Sequence, residues 1–272
     1  MSLTKALTDL EAIEMITPPK PEVTVIMPVY NGERYITESI KRAMSYMERL
    51  GRPYEIIVVD DGSTDGTYRA VLKSANERVR IVRYEKNRGK GYAFISGVLR
   101  SKGDIILLFD ADLDVPLRQI NMLLRVMEGT NIDIVVTNKW HPMSKTIASP
   151  VRKFLSRAFN ALVRLLTGLK MQDTQTGAKA FRREALLRIV KHLYVKRFTF
   201  DVELLLVAKQ LGYKIAEVPS LKPIVLTSRF KVKEIAHMIL ELLSITYRHK
   251  MFRNRKTSKS CSSNGCSQHF CH

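Results

Sequence analysis

Hydrophobic residues in this chain gather into short unbroken runs that end abruptly in carboxylates. Ile105-Ile106-Leu107-Leu108-Phe109 leads straight into Asp110-Ala111-Asp112-Leu113-Asp114, and Tyr54-Glu55-Ile56-Ile57-Val58-Val59 into Asp60-Asp61-Gly62-Ser63-Thr64-Asp65. A third run, Val23-Thr24-Val25-Ile26-Met27, ends at Pro28-Val29-Tyr30-Asn31-Gly32-Glu33. Apolar runs of this length read as strands buried on both faces of a parallel sheet. Each is followed by a helical pattern, over residues 35–50, 66–76 and 116–127. Strand alternating with helix means βαβ units, and right-handed crossovers bring the three strand ends to one edge of the sheet. If the chain stays extended past Phe109, alternation turns Asp110, Asp112 and Asp114 to one side. Carboxylates gathered at the end of a buried strand are costly unless a cation neutralises them, and such oxygen ligands suit Mg²⁺ or Mn²⁺. The plain alternative is a polar strand end facing water.

The 272 residues, 45% of them hydrophobic, suffice for one sizeable α/β domain with appendages. The boundaries read as an N-terminal extension over 1–20, the α/β domain over 21–228, an amphipathic basic segment over 229–256 and a disordered Cys/His tail over 257–272. Residues Leu3, Leu7, Leu10 and Ile13 have near-helical spacing, but Asp9, Glu11 and Glu14 interrupt them, so this stretch is not a signal peptide. All three cysteines lie in the last twelve residues beside His269 and His272, and their spacing departs from paired CxxC zinc motifs. A cysteine-free core carries no disulfide framework and agrees with a reducing compartment.

The motifs resemble, in order, the signatures of inverting family 2 glycosyltransferases with the GT-A fold. The resemblance rests on the three strand ends above and continues through Asn87-Arg88-Gly89-Lys90-Gly91, Asp173-Thr174-Gln175-Thr176-Gly177 and Phe200-Asp201-Val202-Glu203-Leu204-Leu205. It runs from about residue 21 to about 243 and narrows to the polyprenyl-phosphate hexose synthases, which make dolichyl-phosphate glucose or mannose. It implies a mostly parallel, Rossmann-like α/β sheet flanked by helices, and a nucleotide-sugar donor. Pro28, Tyr30 and Glu33 would line the nucleotide pocket, and Asp60 and Asp61 would face the base. Lys90 would give cationic support near the nucleotide; Asp110, Ala111 and Asp112 match the metal motif. Asp112 is the first choice as direct ligand, and Asp114 stands where some relatives place another. The ordinary alternatives are packing for Tyr30 and a solvated loop charge for Lys90.

Charge then separates the chain into unlike halves. The formal net charge is +19. Residues 1–144 carry 20 basic and 19 acidic side chains, residues 145–272 carry 25 and 7. That asymmetry points to an anionic partner, nucleic acid or an acidic membrane surface. Two amphipathic stretches bear on the choice. Phe154, Leu155, Ala158, Phe159, Leu162, Leu165, Leu166 and Leu169 form one stripe, and Ile235, Met238, Ile239, Leu242 and Ile245 another. Neither reaches the length of apolar chain needed to span a bilayer. Either could lie in the membrane interface, flanked by bases, or simply cover the sheet. With the resemblance, interface helices at the C-terminal end are the expectation, followed by a juxtamembrane basic run of Arg248, Lys250, Arg253, Arg255, Lys256 and Lys259. No interleaved aromatics or known module supports nucleic acid. The expected location is peripheral, at the cytoplasmic membrane face, with a membrane-embedded partner as a possible companion.

The acceptor decides the mechanism. A polyprenyl monophosphate is largely dianionic at neutral pH, its second pKa lying near ~6, so no protein base is needed. What such a transfer needs is cationic positioning, for which the resemblance offers Lys139, Arg152 and Arg229. Asn138-Lys139 stands where relatives commonly show Ser-Arg, and lysine lacks the bidentate fork. A glycan hydroxyl acceptor would instead require a base such as Asp201, Glu203 or Asp173. Asp201 equally suits a first-turn carboxylate favoured by a helix dipole. The 200–205 motif is closer to glucose than to mannose synthases. A non-catalytic basic binding protein is the alternative of a different class; the joint presence of Asp60, Asp61, Asp110 and Asp112 speaks against it.

Overall fold

A computed structural model describes residues 20–147, 149–194, 199–221, 224–225 and 237–249. Seven strands form one sheet: β1 (Val23–Val29), β2 (Tyr54–Asp60), β3 (Val79–Arg83), β4 (Ile105–Phe109), β5 (Ile134–Asn138), β7 (Ala178–Arg182) and β8 (Ile215–Pro219). Their order is β3-β2-β1-β4-β7-β5-β8, and every pairing is parallel except those of β7. Two short strands, β6 (Thr146–Ile147) and β9 (Ile224–Val225), pair separately in parallel. The helices are α1 (Ile36–Leu50), α2 (Thr67–Ser74), α3 (Lys90–Val98), α4 (Gln119–Gly129), α5 (Pro150–Thr167), α6 (Arg183–Ile189), α7 (Phe200–Gln210) and α8 over 237–249.

The strands are apolar throughout because both faces of the sheet are covered. Val23, Val25 and Met27 of β1 and Ile105, Leu107 and Phe109 of β4 pack with α1 and α4. Their alternates, Ile26, Ile106 and Leu108, pack on the other face with α3, α6, α7 and α8. α1 shows how pattern becomes element. Ile36, Ile40, Ala43 and Met47 are all buried at helical spacing, and Gly51 ends the helix in the left-handed conformation at φ 67°. Both β2 and β4 flank β1, so the chain reverses its direction of winding there. The crevice beyond the carboxyl ends of β1 and β4 is a topological switch point, where open α/β sheets bind ligands.

Two expectations need correction. The chain does not stay extended beyond β4: it turns at Asp110, with Leu113 N–H donating to Asp110 O at 3.1 Å and Leu113 at φ 56°. The three carboxylates are therefore gathered by a tight turn, not by strand alternation. The second concerns α8. Its stripe of Met238, Leu242 and Ile245 is buried, the last two against the sheet-covering helices, so this face serves the core and not a membrane. Ile239, which the sequence places in that stripe, is exposed, as are Leu240, Leu243 and Tyr247 of the same helix. Ile235, Arg229, residues 1–19 and the Cys/His tail lie outside the described residues. No helix among the described residues is long and apolar enough to cross a membrane.

Candidate active site

Hydrogen bonds zip the turns after β1 and β2 into one wall of the crevice. Asn31 N–H donates to Ser63 Oγ (2.9 Å), Gly32 N–H to Thr67 Oγ1 (2.8 Å), and Thr64 N–H to Asn31 Oδ1 (2.9 Å). Glu33 completes the seam, its carboxylate accepting from Gly66 N–H at 3.0 Å. Pro28 lies within β1 opposite Val59, and Tyr30 projects half-exposed at the rim. Asp61 is buried and fully engaged: it accepts from Tyr84 Oη (2.7 Å), Arg88 N–H (2.8 Å) and Gly89 N–H (2.9 Å). It thereby pins the loop that starts α3, and burial followed by the Asp61 carboxylate pushes the Tyr84 hydroxyl well above its ordinary range. Asp60 differs. Its Oδ1 accepts from Ser63 N–H at 3.0 Å, whereas Oδ2 is buried without a hydrogen bond among the described residues, 3.6 Å from Arg83 Nε. A buried carboxylate oxygen left in this state is ready for a donor from outside the protein.

The opposite wall is the acidic turn. Asp110 pairs with Lys90, the first residue of α3, and its N–H donates to Gly177 O at 3.0 Å, where β7 begins. Gly177 leaves room for the Asp110 carboxylate: a Cβ there would overlap it unless the side chain moved. Ala111 is buried, while Asp112 and Asp114 are exposed, and Asp112 Oδ1 accepts from Asp114 N–H at 3.2 Å. Partial desolvation by the surrounding turn first, then the Asp110 charge, raises the Asp112 carboxyl above its usual range even though the residue is exposed. Tyr35, which the sequence motifs do not single out, is raised likewise by burial and by Asp112, Asp110, Asp65 and Asp114. Burial opposes the charge on Lys90, yet Asp110, Asp201 and Asp112 outweigh it and hold the ammonium above its ordinary value.

Behind the turn lie two buried lysine–carboxylate pairs. Lys139 Nζ donates to Asp173 Oδ1 at 2.8 Å; Lys139 N–H and the Thr176 hydroxyl donate to Asp173 Oδ2. Burial would raise the Asp173 carboxyl, but Lys139 and these donors hold it below the ordinary range. Lys179 Nζ donates to Asp201 Oδ1 and to Thr176 O, each at 2.7 Å. Lys179 is almost wholly buried in β7, and nothing in its local pattern marks it as functional; its only sequence signal is a lysine inside an otherwise apolar strand. Lys139 is thus brought to the site but is already paired. Arg152 lies in the first turn of α5 with its side chain outside the description, and Arg229 lies outside the described residues.

The acidic turn fits a divalent cation supplied with other oxygens. Among the described residues no three His, Cys, Asp or Glu side chains form a ready-made cage. Asp110 and Asp112, with one lysine between three neighbouring carboxylates, leave excess negative charge on an open surface. Mg²⁺ characteristically takes one or two carboxylates and completes its shell with phosphate and water. A cavity of about 640 Å³ lies at the opposite edge of the sheet, bounded by Arg52, Tyr54, Glu55, Arg78 and Arg80. Its arginines are paired with Glu22, Glu128, Glu77 and Glu55, so it offers no free chemistry of this kind.

Comparison with known proteins bears on the family and the fold. The family model described as Glycosyl transferase family 2 matches residues 24–190. A dolichyl-phosphate beta-glucosyltransferase of Mus musculus is 35% identical over 216 residues, covering 74% of this chain and 67% of the relative. One from Trichomonas vaginalis is 32% identical over 244 residues, covering 85% and 72%. Among solved structures, glucosyl-3-phosphoglycerate synthase from Mycobacterium tuberculosis in complex with UDP superposes with a TM-score of 0.61 at 22% identity, covering 88% of this chain and 83% of that one. Mannosyl-3-phosphoglycerate synthase from Rubrobacter xylanophilus gives a TM-score of 0.67 at 18% identity, covering 86% and 75%. At these identities the structural likeness bears on the fold alone, and the fold is the GT-A arrangement that the motifs imply.

Proposed function

We propose that this chain, which belongs to glycosyl transferase family 2, transfers glucose from UDP-glucose to a dolichyl or other polyprenyl phosphate, inverting the anomeric carbon. The observation that carries the acceptor class is the state of the three candidate bases, of which Glu203 is buried and engaged by Tyr194 N–H and His249. Asp173 and Asp201 are both buried and both bound by lysines, Lys139 and Lys179. A hydroxyl acceptor needs a free base within reach of its proton. A phosphate acceptor brings its own charge and needs none. Relatives named dolichyl-phosphate beta-glucosyltransferases support the same acceptor and favour glucose over mannose.

On this reading Asp60 Oδ2 accepts the ring N–H of the uracil, with Tyr30 and Pro28 beside the base and ribose, and Asp61 shapes the pocket through the loop it holds. Asp110 and Asp112, with Asp114 adjacent, would hold Mg²⁺ or Mn²⁺; a relative of the same fold is solved with Mn²⁺ and UDP-glucose. When bound, the ion neutralises charge developing on the leaving diphosphate. Lys90 keeps Asp110 in place and adds a positive charge on the same side. Arg152 and Arg229 are the remaining cations proposed to position the acceptor phosphate, since Lys139 is committed to Asp173.

The long acceptor calls for a lipid surface. Val151, Phe154 and Leu165 of α5 and Leu240, Leu243 and Tyr247 of α8 are exposed apolar residues in the strongly basic half of the chain. We read them as contacts of a peripheral protein at the cytoplasmic membrane face, alone or with a membrane-embedded partner. Matched acceptors test the central point. Dolichyl phosphate should be glucosylated and dolichol, which ends in a hydroxyl, should not. Transfer to dolichol or to a glycan hydroxyl at comparable rate would overturn the phosphate-acceptor reading.

A further inference from the structure

Two bonds from α8 converge on the first turn of α7, at the edge of the candidate site. Thr199, which precedes α7, makes no cap with its own side chain. Instead its N–H and its hydroxyl both donate to Glu241 Oε2, at 3.1 and 2.9 Å. A carboxylate from a separate helix thus occupies the N-terminal end of α7, where negative charge is favoured. One turn on, Glu203 is completely buried. Its Oε2 accepts from Tyr194 N–H at 2.9 Å, and its Oε1 faces His249 Nε2 at 3.1 Å. The other ring nitrogen, Nδ1, lies 3.1 Å from Gln210 Oε1, at the far end of α7. His249 is itself buried and Glu241 is partly so, and together they fasten both ends of α8 to α7.

Asp201 lies between these two fastenings. Its Oδ1 accepts from Lys179 Nζ, which also donates to Thr176 O, next to the Gly177 carbonyl that Asp110 N–H bonds. We propose that Glu241 and His249 are positioning residues, which hold the first turn of α7 so that Asp201 stays in register with Lys179. Neither residue touches the nucleotide wall built by β1 and β2. Their effect should fall on the transfer step and leave nucleotide binding intact. The inference rests on reading the cluster from Asp110 to Asp201 as the site of glucosyl transfer.

The test compares Glu241→Ala, Glu241→Gln and His249→Leu in the full chain. Three readouts are taken: kcat and KM for transfer to dolichyl phosphate, UDP release from UDP-glucose without lipid acceptor, and UDP affinity by calorimetry. We expect Glu241→Ala and His249→Leu to lower kcat about tenfold or more, with UDP affinity within about twofold of the parent. Glu241→Gln keeps an acceptor for Thr199 and should recover most of kcat. Unchanged kcat in both truncations would overturn the proposal. So would parallel loss of UDP affinity, kcat and thermal stability without rescue by Glu241→Gln, which would mark the two residues as general supports of the fold. If the parent chain does not glucosylate dolichyl phosphate, the acceptor reading fails by itself, and UDP release still reads the positioning effect. A release rate equal to the parent's in both truncations then overturns it.

Discussion

At the residue scale, the two acidic residues that end β2 have different tasks although they are adjacent in sequence. Asp61 spends both oxygens on the loop before α3, while Asp60 keeps one buried oxygen without a hydrogen bond among the described residues. The motif made both visible as candidates; only the loop geometry separated them. Replacing Asp60 by Asn preserves an acceptor for Ser63 but presents an N–H donor where a donor is to be received. A hydrogen bond to a charged group contributes about 1.5–3 kcal/mol, so Asp60→Asn should weaken UDP binding roughly ten- to hundredfold. Calorimetric titration checks this, and undiminished affinity would remove Asp60 from the base pocket. The Asp173–Lys139 pair makes a prediction about pH. Asp173 is depressed in the folded state, so its contribution is present above the unfolded carboxylate value, near ~3.9, and is lost as pH falls further towards its folded value. Asp173→Asn leaves Lys139 buried without its counter-charge and should cost about 3–5 kcal/mol at neutral pH. Melting curves between neutral and acid pH should show that the gap between parent and variant narrows only in the acid range.

At the scale of elements, β1, β2 and β4 were legible because strands buried on both faces admit nothing but apolar residues, and the helices after them because one face of each is apolar. β7 was not. Ala178-Lys179-Ala180-Phe181-Arg182 has neither a long apolar run nor polar alternation, because Lys179 is buried against Asp201 and the strand is antiparallel among parallel neighbours. The turn after β4 is ambiguous in sequence for a related reason. Strand alternation explains three carboxylates at every second position as well as a turn does, and only the left-handed Leu113 decides between them. The stripe on α8 shows the same ambiguity: amphipathic spacing marks a buried face without saying whether protein or lipid buries it. The junction of β7 and the acidic turn can be tested directly. Gly177→Ala places a methyl group against the Asp110 carboxylate and should displace it from Lys90. Transfer should fall by about a hundredfold, on the scale of losing one electrostatic contact to the transition state, while the far-ultraviolet circular dichroism spectrum stays unchanged. Full activity in this variant would mean that Asp110 need not occupy its present place.

At the scale of the molecule, the wall built by the turns after β1 and β2 lies in the nearly neutral half of the chain and the exposed apolar residues of α5 and α8 lie in the basic half. Such a division suits an enzyme that takes one substrate from water and the other from an anionic surface. Flotation with liposomes should show binding to vesicles containing anionic lipid at physiological salt, with binding reduced at high salt as the charges are screened. Absence of binding to anionic vesicles at either salt would dissociate the apolar residues from membranes. The fold, the order of the motifs and the enzyme class were all legible in the sequence, since each follows from local patterns. Lys179, Glu241 and His249 were not, because their roles arise from pairings across 22, 42 and 46 positions.

The most direct measurement is transfer of radiolabel from UDP-glucose and, separately, from GDP-mannose into extractable dolichyl phosphate with Mg²⁺ or Mn²⁺. Glucosyl transfer to dolichyl phosphate predicts lipid-phase label from UDP-glucose alone, abolished by EDTA and restored by added metal. Label that stays out of the lipid phase while donor is consumed on a glycan would contradict it.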